Sequence, residues 1–320
     1  MLAAYVAQAN PSDPLAALQV GELPDADAPE GWLRVRVRAA SLNHHDLWSL
    51  RGVGLPAERM PMILGTDASG TTDDGRDVIV HAVISSPKWT GDETLDPHRT
   101  LLSELHQGTL AEYVVVPARN VIDKPEGLSF EDASCLPSAW LTAYRMLTRN
   151  DLSPGDTVLV QGSSGGVASA AIQLGTLLGL RTWATARTPQ KQAFALALGA
   201  DEAFPSGARL PERVDAVIET VGEATWAHSL RALRPGGTVV VCGATSGYNP
   251  PAELNRVFFL QLRVHGSTMG TRDELARLVE LLVASGVRPH VDRVIRLGDA
   301  ADGLAALESG AVLGKVVLTA

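Results

Sequence analysis

The chain has only two cysteines, Cys135 and Cys242, far apart in its 320 residues. That number excludes both a disulfide framework and a four-cysteine zinc site. Basic residues are outnumbered, with 27 Lys and Arg against 36 Asp and Glu and a formal charge of −9. A surface of that sign argues against nucleic acid or an anionic membrane as partner, since both reward clustered Lys and Arg. No apolar run reaches membrane-spanning length, and the mean hydropathy is +0.07. The opening MLAAYVAQANPSDP lacks the basic, apolar and small-residue order of a secretory signal. Fixed-period repeats and low-complexity tracts are absent too, which excludes solenoids and propellers. What is there is a composition 45% hydrophobic and 20% charged, expected of a soluble cytoplasmic protein of two domains acting on a small molecule.

Two textures follow one another. Up to about Ile122 the chain runs in short alternating segments. Leu33 to Arg38 (LRVRVR) puts Leu33, Val35 and Val37 on one face and three arginines on the other, the period of a half-buried strand. Asp77 to Ile84 and Leu110 to Val116 are similar, and glycines punctuate them, so a small antiparallel, barrel-like unit is predicted. From Pro154 the pattern becomes strand, glycine turn, helix, repeated. Strands are predicted at 157–160, 182–186, 216–221, 238–241 and 263–265, with helices at 167–178 and 190–198. Alternation at this spacing implies parallel β-α-β units in a doubly wound sheet, an α/β fold. The tail from Thr271 reads as one long helix and two short strands. The predicted division is 1–138, 139–268 and 269–320, with the last segment rejoining the first domain.

The most informative stretch is Gly162-Ser163-Ser164-Gly165-Gly166-Val167-Ala168. A strand ending in a glycine turn that opens a helix aims backbone N–H groups and the positive helix end at one point, which suits a pyrophosphate. Ser163 stands where the usual fingerprint has its first glycine. After the next strand, no acidic residue occurs from Arg181 to Leu198, whereas an NAD site places Asp or Glu there for the ribose 2′-hydroxyl. Arg187 follows Ala186 directly, and Lys191 comes four residues later. A guanidinium and an ammonium suit a 2′-phosphate, so NADP(H) is the expected coenzyme.

Taken together, SLNHHDLWSLRGVG (41–54), MILGTDASG (62–70), GTLAEYVVVP (108–117), LTAYRML (141–147), GSSGGVA (162–168) and GKVVL (314–318) resemble the medium-chain dehydrogenase/reductase superfamily, within it the zinc-independent quinone oxidoreductase-like branch. The resemblance covers essentially the whole chain. It implies a GroES-like β-rich catalytic domain joined to a doubly wound Rossmann domain, with substrate in the cleft between. Zinc alcohol dehydrogenases of the superfamily hold their metal with Cys, His and Cys; the matching positions here are Asn43, Thr66 and Ser138, none a good zinc ligand. The four-cysteine structural lobe has no counterpart either, because 85–107 contains no cysteine. No metal is therefore expected.

Without a Lewis acid, the expected chemistry is hydride donation from NADPH to an enone, enal or quinone, whose developing enolate or phenolate is stabilised by hydrogen-bond donors. The resemblance places Asn43 beside nicotinamide and substrate. His44 and His45 add possible donors, with His45 or solvent delivering the final proton; the sequence leaves open which ring faces the reacting atoms. By the same resemblance, Thr142, Gly166, Val167, Gly243, Ala244, Thr245, Ser267, Met269 and Lys315 contact the coenzyme, with Asp46 as a partner for Lys315. The tyrosine that some relatives set against the 2′-phosphate is replaced by Ser206. Trp48, Leu50, Leu55 and Trp89 are candidate substrate contacts. Homodimerisation is implied through Rossmann edge strands, with Val257 to His265 (VFFLQLRVH) as the candidate edge. Two rival readings stay open: a metal-independent alcohol or carbonyl oxidoreductase, and a crystallin-like NADPH-binding protein of low activity.

Overall fold

A computed structural model describes residues 1–25 and 27–320. It has two compact units, one formed by Met1–Leu141 with Met269–Ala320, the other by Thr142–Thr268. The first junction lies at Leu141 and Thr142, three residues beyond the expected 138/139. Helical segments Phe130–Ser134, Leu136–Trp140 and Leu141–Thr148 succeed one another there, so no turn marks the crossing.

The first unit is built on a seven-stranded sheet. Its main path runs Val121–Asp123, Asp77–Val80, Asp67–Thr72, Trp32–Ser41, Lys315–Thr319, Val291–Arg296, and Tyr113–Pro117 also pairs with Trp32–Ser41. The LRVRVR alternation is realised directly: Val35 and Val37 are buried while Arg36 and Arg38 are exposed. The inward residues join Leu47, Leu64, Val80, Leu110 and Val316 in one core. Leu50 and Leu55 belong to that core, 0% and 2% exposed, and so are packing residues and not substrate contacts. Val291–Arg296 and Lys315–Thr319 pair in parallel, which demands a crossover. The helix Ala300–Glu308 supplies it; Gly303, packed closely on Leu42 and Val316, obscured that helix in the sequence.

The second unit is a six-stranded parallel sheet in the order Glu202–Pro205, Arg181–Ala186, Thr157–Val160, Val214–Glu219, Leu233–Val241, Arg263–Gly266. Numbered within the unit that is 3-2-1-4-5-6, the Rossmann order. All four residues of Thr157–Val160 are buried, as expected of a central parallel strand covered on both faces. The order reverses beside this strand, and ligands of such sheets bind at the carboxyl end of the reversal. Val257 to His265 does not form one strand: Leu254–Phe259 is helical, and the edge strand is Arg263–Gly266. Among the described residues, no helix is long and apolar enough to cross a membrane.

Candidate active site

In the second unit the strand Thr157–Val160 leads through Gln161 into the glycine turn, and the helix Gly166–Leu177 opens behind it. Gly162 adopts φ +80°, a left-handed conformation that L side chains rarely take. Its N–H donates to Thr185 Oγ1 at 3.1 Å, so Gly162 shapes the turn and its amide is not directed at a ligand. Gly165 is the N-cap, with ordinary φ of −77° and no side-chain cap; the helix has no acidic residue in its first turn. A Cβ added at Gly165 would meet nothing within 4 Å. The amides of Gly166, Val167 and Ala168 therefore begin a helix beside open space, a setting fit for an anion such as a pyrophosphate. Ser164 lies in the same turn, half-buried.

The register Ala186↔Pro205 brings the ends of two neighbouring strands together, so Arg187 and Ser206 emerge side by side. Arg187 is exposed. Lys191 sits in the first turn of the helix Pro189–Ala197, capped by Thr188. Burial, and then the charge of Arg187, hold the Lys191 ammonium below its ordinary pKa. Two cations this close, with no acidic residue in that first turn, have a charge that suits a phosphate.

At the far end of the sheet, Ser267 N–H donates to Val241 O at 2.8 Å. Its hydroxyl is buried and has no hydrogen-bond partner, so it is a donor in wait of an acceptor. Gly243, Ala244 and Thr245 follow Leu233–Val241 in the adjoining loop. Thr142 is buried at the start of this unit, in the helix Leu141–Thr148. Met269 opens the return to the first unit with φ +49°.

The first unit holds a buried polar cluster, and sheet register explains how it forms. Trp32–Ser41 pairs with Asp67–Thr72 as Ser41↔Asp67, and with Lys315–Thr319 as Val317↔Ser41. Continuing the second register by two residues sets Lys315 beside Asn43. Lys315 Nζ accordingly donates to Leu42 O at 2.8 Å, Asn43 Oδ1 at 2.7 Å and Asp67 Oδ2 at 3.4 Å. These three acceptors account for all three N–H bonds of the ammonium. Lys315 is 3% exposed, so it is a member of this cluster and not a pyrophosphate ligand. Asp46 is not its partner either. The Asp46 carboxylate accepts from Asn43 N at 2.8 Å and Gly65 N at 3.0 Å, closing a capping box on the helix His44–Leu50. Burial pushes its pKa up to about 6, against the opposing pull of His45.

Asp67 was not singled out as a functional residue in the sequence, yet it is the hub. Its Oδ2 accepts from Ser41 Oγ (2.9 Å), Asn43 Nδ2 (2.8 Å) and Lys315, while Oδ1 is buried without a partner. Asn43 Nδ2 also reaches Thr66 Oγ1 at 3.3 Å. Its amide protons are thus committed within the cluster, which corrects the expectation that Asn43 itself donates to substrate. Thr66 Oγ1 and Ser138 Oγ lie 2.9 Å apart. Between them the two hydroxyls carry two protons and share one, leaving one to offer elsewhere. An amide and two hydroxyls bonded to one another do not fit zinc, which takes thiolate, imidazole or carboxylate.

The two histidines differ. His44 is exposed; partial desolvation, then the charges of Lys315 and Arg51, hold its pKa below the ordinary value. His45 is half-buried, and its Nε2 lies 3.3 Å from Glu104 Oε1. Burial opposes its charge, but the Glu104 hydrogen bond and the Asp46, Glu104 and Asp67 charges outweigh it and raise the pKa. His45 Nδ1 is buried and unpartnered. Glu104 carries no motif signal. It also accepts from Leu101 N at 3.1 Å, which ties the 85–107 segment to the helix bearing His45. Trp48 packs its ring under the Arg51 guanidinium, and Trp89 Nε1 donates to Asp92 O at 2.9 Å; both are half-buried.

Residues 29–126 match the family "Alcohol dehydrogenase GroES-like domain" and residues 166–284 the family "Zinc-binding dehydrogenase". The chain is 32% identical over 305 residues to a 2-methylene-furan-3-one reductase of Solanum lycopersicum, spanning 91% of this chain and 72% of that one. Among solved structures, an NAD-dependent alcohol dehydrogenase is similar with TM-score 0.92 and 34% identity, covering 100% of both chains. A 2-octenoyl-CoA carboxylase reductase in complex with NADP and 2-octenoyl-CoA is similar with TM-score 0.90 and 26% identity, covering 99% of this chain and 87% of that one. The chain belongs to the medium-chain dehydrogenase/reductase superfamily.

Proposed function

We propose that this protein is an NADPH-dependent reductase of activated C=C bonds, enones, enals or quinones, of the zinc-independent quinone oxidoreductase-like kind, working without a metal. The observation that carries the reading is the cluster at Asn43, Thr66 and Ser138: hydroxyls and an amide held by Asp67 and Lys315, where zinc relatives need metal ligands. The basic pair Arg187 and Lys191 supports the phosphorylated coenzyme. The tomato relative's substrate has a C=C bond conjugated to a ketone, and the enoyl-CoA relative was solved with NADP; both support this substrate class.

When bound, the coenzyme supplies the hydride. The amides of Gly166 and Val167 hold its pyrophosphate, Arg187 and Lys191 its 2′-phosphate, and Ser267 Oγ offers a donor for the nicotinamide end. Charge that develops on the acceptor's oxygen meets the spare hydroxyl proton of the Thr66–Ser138 pair, backed by the Lys315 ammonium. His45, held through Nε2 on Glu104, or solvent delivers the final proton to the carbon.

The test is stopped-flow oxidation of NADPH by a panel of enones and quinones, alongside metal analysis. Absence of turnover with every acceptor, or a stoichiometric transition metal, would overturn the reading. The NAD-dependent alcohol dehydrogenase neighbour favours a second reading, a metal-independent alcohol or carbonyl oxidoreductase; alcohol-dependent reduction of NADP+ or NAD+ by metal-free protein would establish it. We further propose a homodimer through the edge strand Arg263–Gly266, whose residues are all exposed beside Phe258 and Phe259.

A further inference from the structure

We propose that Ser163 is a positioning residue for coenzyme selection: its hydroxyl locks the basic pair to the glycine turn. The inference rests on the NADP(H) reading above. Ser163 is the departure from the glycine fingerprint, and the structure gives that departure a use. Its side chain is 3% exposed and donates to Lys191 O at 2.9 Å. Thr188 Oγ1 accepts from Lys191 N at 3.3 Å. The peptide groups on both sides of Lys191 are therefore pinned, one by the helix cap and the other by the pyrophosphate turn.

The strand that ends in Ala186 and Arg187 is tied to the same turn. Thr185 Oγ1 accepts from Gly162 N at 3.1 Å and donates to Gln161 Oε1 at 2.8 Å. Gln161 Nε2 donates to His228 Nδ1 at 2.8 Å and to Ser229 Oγ at 2.9 Å. An amide nitrogen only donates, so His228 Nδ1 must accept, and its Nε2–H is given to Ala208 O at 2.8 Å. Ser206 N, next to that loop, donates to Ala186 O at 3.0 Å. A chain of hydrogen bonds, buried at Gln161, Thr185 and Ser229, thus joins the turn, the end of the Arg187 strand and the Ser206–Ala208 loop. Such a network, with every member satisfied, holds its parts rigidly.

The consequence is specific. A 2′-phosphorylated dinucleotide carries both anions on one adenosine, so it gains from both anchors only when their spacing is held. An unphosphorylated dinucleotide uses the turn alone. Releasing Lys191 from Ser163 must therefore weaken the first ligand and spare the second.

Isothermal titration of wild type, S163A and S163G with NADP+ and with NAD+ tests this directly. S163G restores the fingerprint glycine and cannot overpack, while thermal melting checks that each variant is folded. Both variants are expected to bind NADP+ about fivefold more weakly, the worth of one hydrogen bond, with NAD+ affinity unchanged within about twofold. Equal loss for both coenzymes, or no loss for either, would overturn the inference while a wild-type preference for NADP+ kept the coenzyme reading intact. A wild type that binds NAD+ as tightly as NADP+ would remove the coenzyme reading, and this inference with it.

Discussion

Lys315 Nζ donates to Asn43 Oδ1 at 2.7 Å across 272 positions of sequence. The contact follows from the antiparallel register of Lys315–Thr319 on Trp32–Ser41, carried two residues on to Asn43, and the pairing of Trp32–Ser41 with Asp67–Thr72 delivers Asp67 to the same point. A lysine in this place neutralises a carboxylate that is 0% exposed, so the pair stands or falls together. Lys315→Met is expected to cost about 3–5 kcal/mol, the usual effect of leaving a buried charge without its partner. The double variant Asp67→Asn with Lys315→Met should lose less than Lys315→Met alone. Urea unfolding reads both, and a Lys315→Met protein within about 1 kcal/mol of wild type would show that the cluster does not need its ammonium.

His45 and Glu104 make a prediction in pH. Proton delivery needs the charged ring, so turnover should fall as pH rises through a His45 pKa that lies above its ordinary 6.5. Glu104→Gln removes the hydrogen-bonding carboxylate that raises it and leaves burial opposed only by the Asp46 and Asp67 charges. The alkaline limb of kcat should then move to lower pH, with little change in NADPH affinity. A limb that stays in place in Glu104→Gln, or persists in His45→Phe, would assign the proton to another group.

Two substitutions in the Rossmann unit separate the coenzyme's anchors. Gly165→Val puts a side chain where the structure has open space, at an ordinary φ. Its thermal stability should be close to wild type while NADP+ and NAD+ both bind at least tenfold more weakly, if the proposed pyrophosphate site occupies that space. Arg187→Ala should weaken NADP+ by about tenfold and leave NAD+ alone. Titration calorimetry with both coenzymes distinguishes the patterns; undiminished coenzyme binding in Gly165→Val would dismiss the turn as the site.

The exposed edge Arg263–Gly266 and its apolar flank, Leu254 at 69%, Phe258 at 62% and Phe259 at 77% exposure, predict association of two copies. Light scattering after size exclusion should give a dimer for wild type. Phe259→Glu with Val264→Lys should give a folded monomer. A wild type that is monomeric at micromolar concentration would refute the dimer.

Local pattern was enough for the opening strand and the first two helices of the Rossmann unit, but not for the strand Glu202–Pro205 or the helix Glu223–Ala232. Thr157–Val160 matches the predicted strand to the residue, and the first two helices begin and end one residue from expectation. A glycine turn, a cap and a fully apolar run are signals written within a dozen residues. The polar cluster was legible only in part, because its members come from three strands and a helix, with bonded partners up to 273 positions apart. Asp67 looks like one polar residue in a run of small ones, and only the Ser41↔Asp67 register makes it a hub. Leu50 and Leu55 misled for a related reason: proximity to the NHHD motif says nothing about which side of the helix faces the core. Leu254–Phe259 was lost to apolar content, which does not separate helix from strand over so few residues.

The first unit is interrupted by the second, and its sheet is unfinished until Val291–Arg296 and Lys315–Thr319 arrive. On the ribosome the Rossmann unit is therefore complete in sequence while its neighbour still waits for two strands. Throughout that interval Asp67 has been synthesised and its lysine has not, so vectorial translation leaves the nascent first unit with a half-built sheet and an unanswered anion. Chaperone capture of stalled chains should concentrate there.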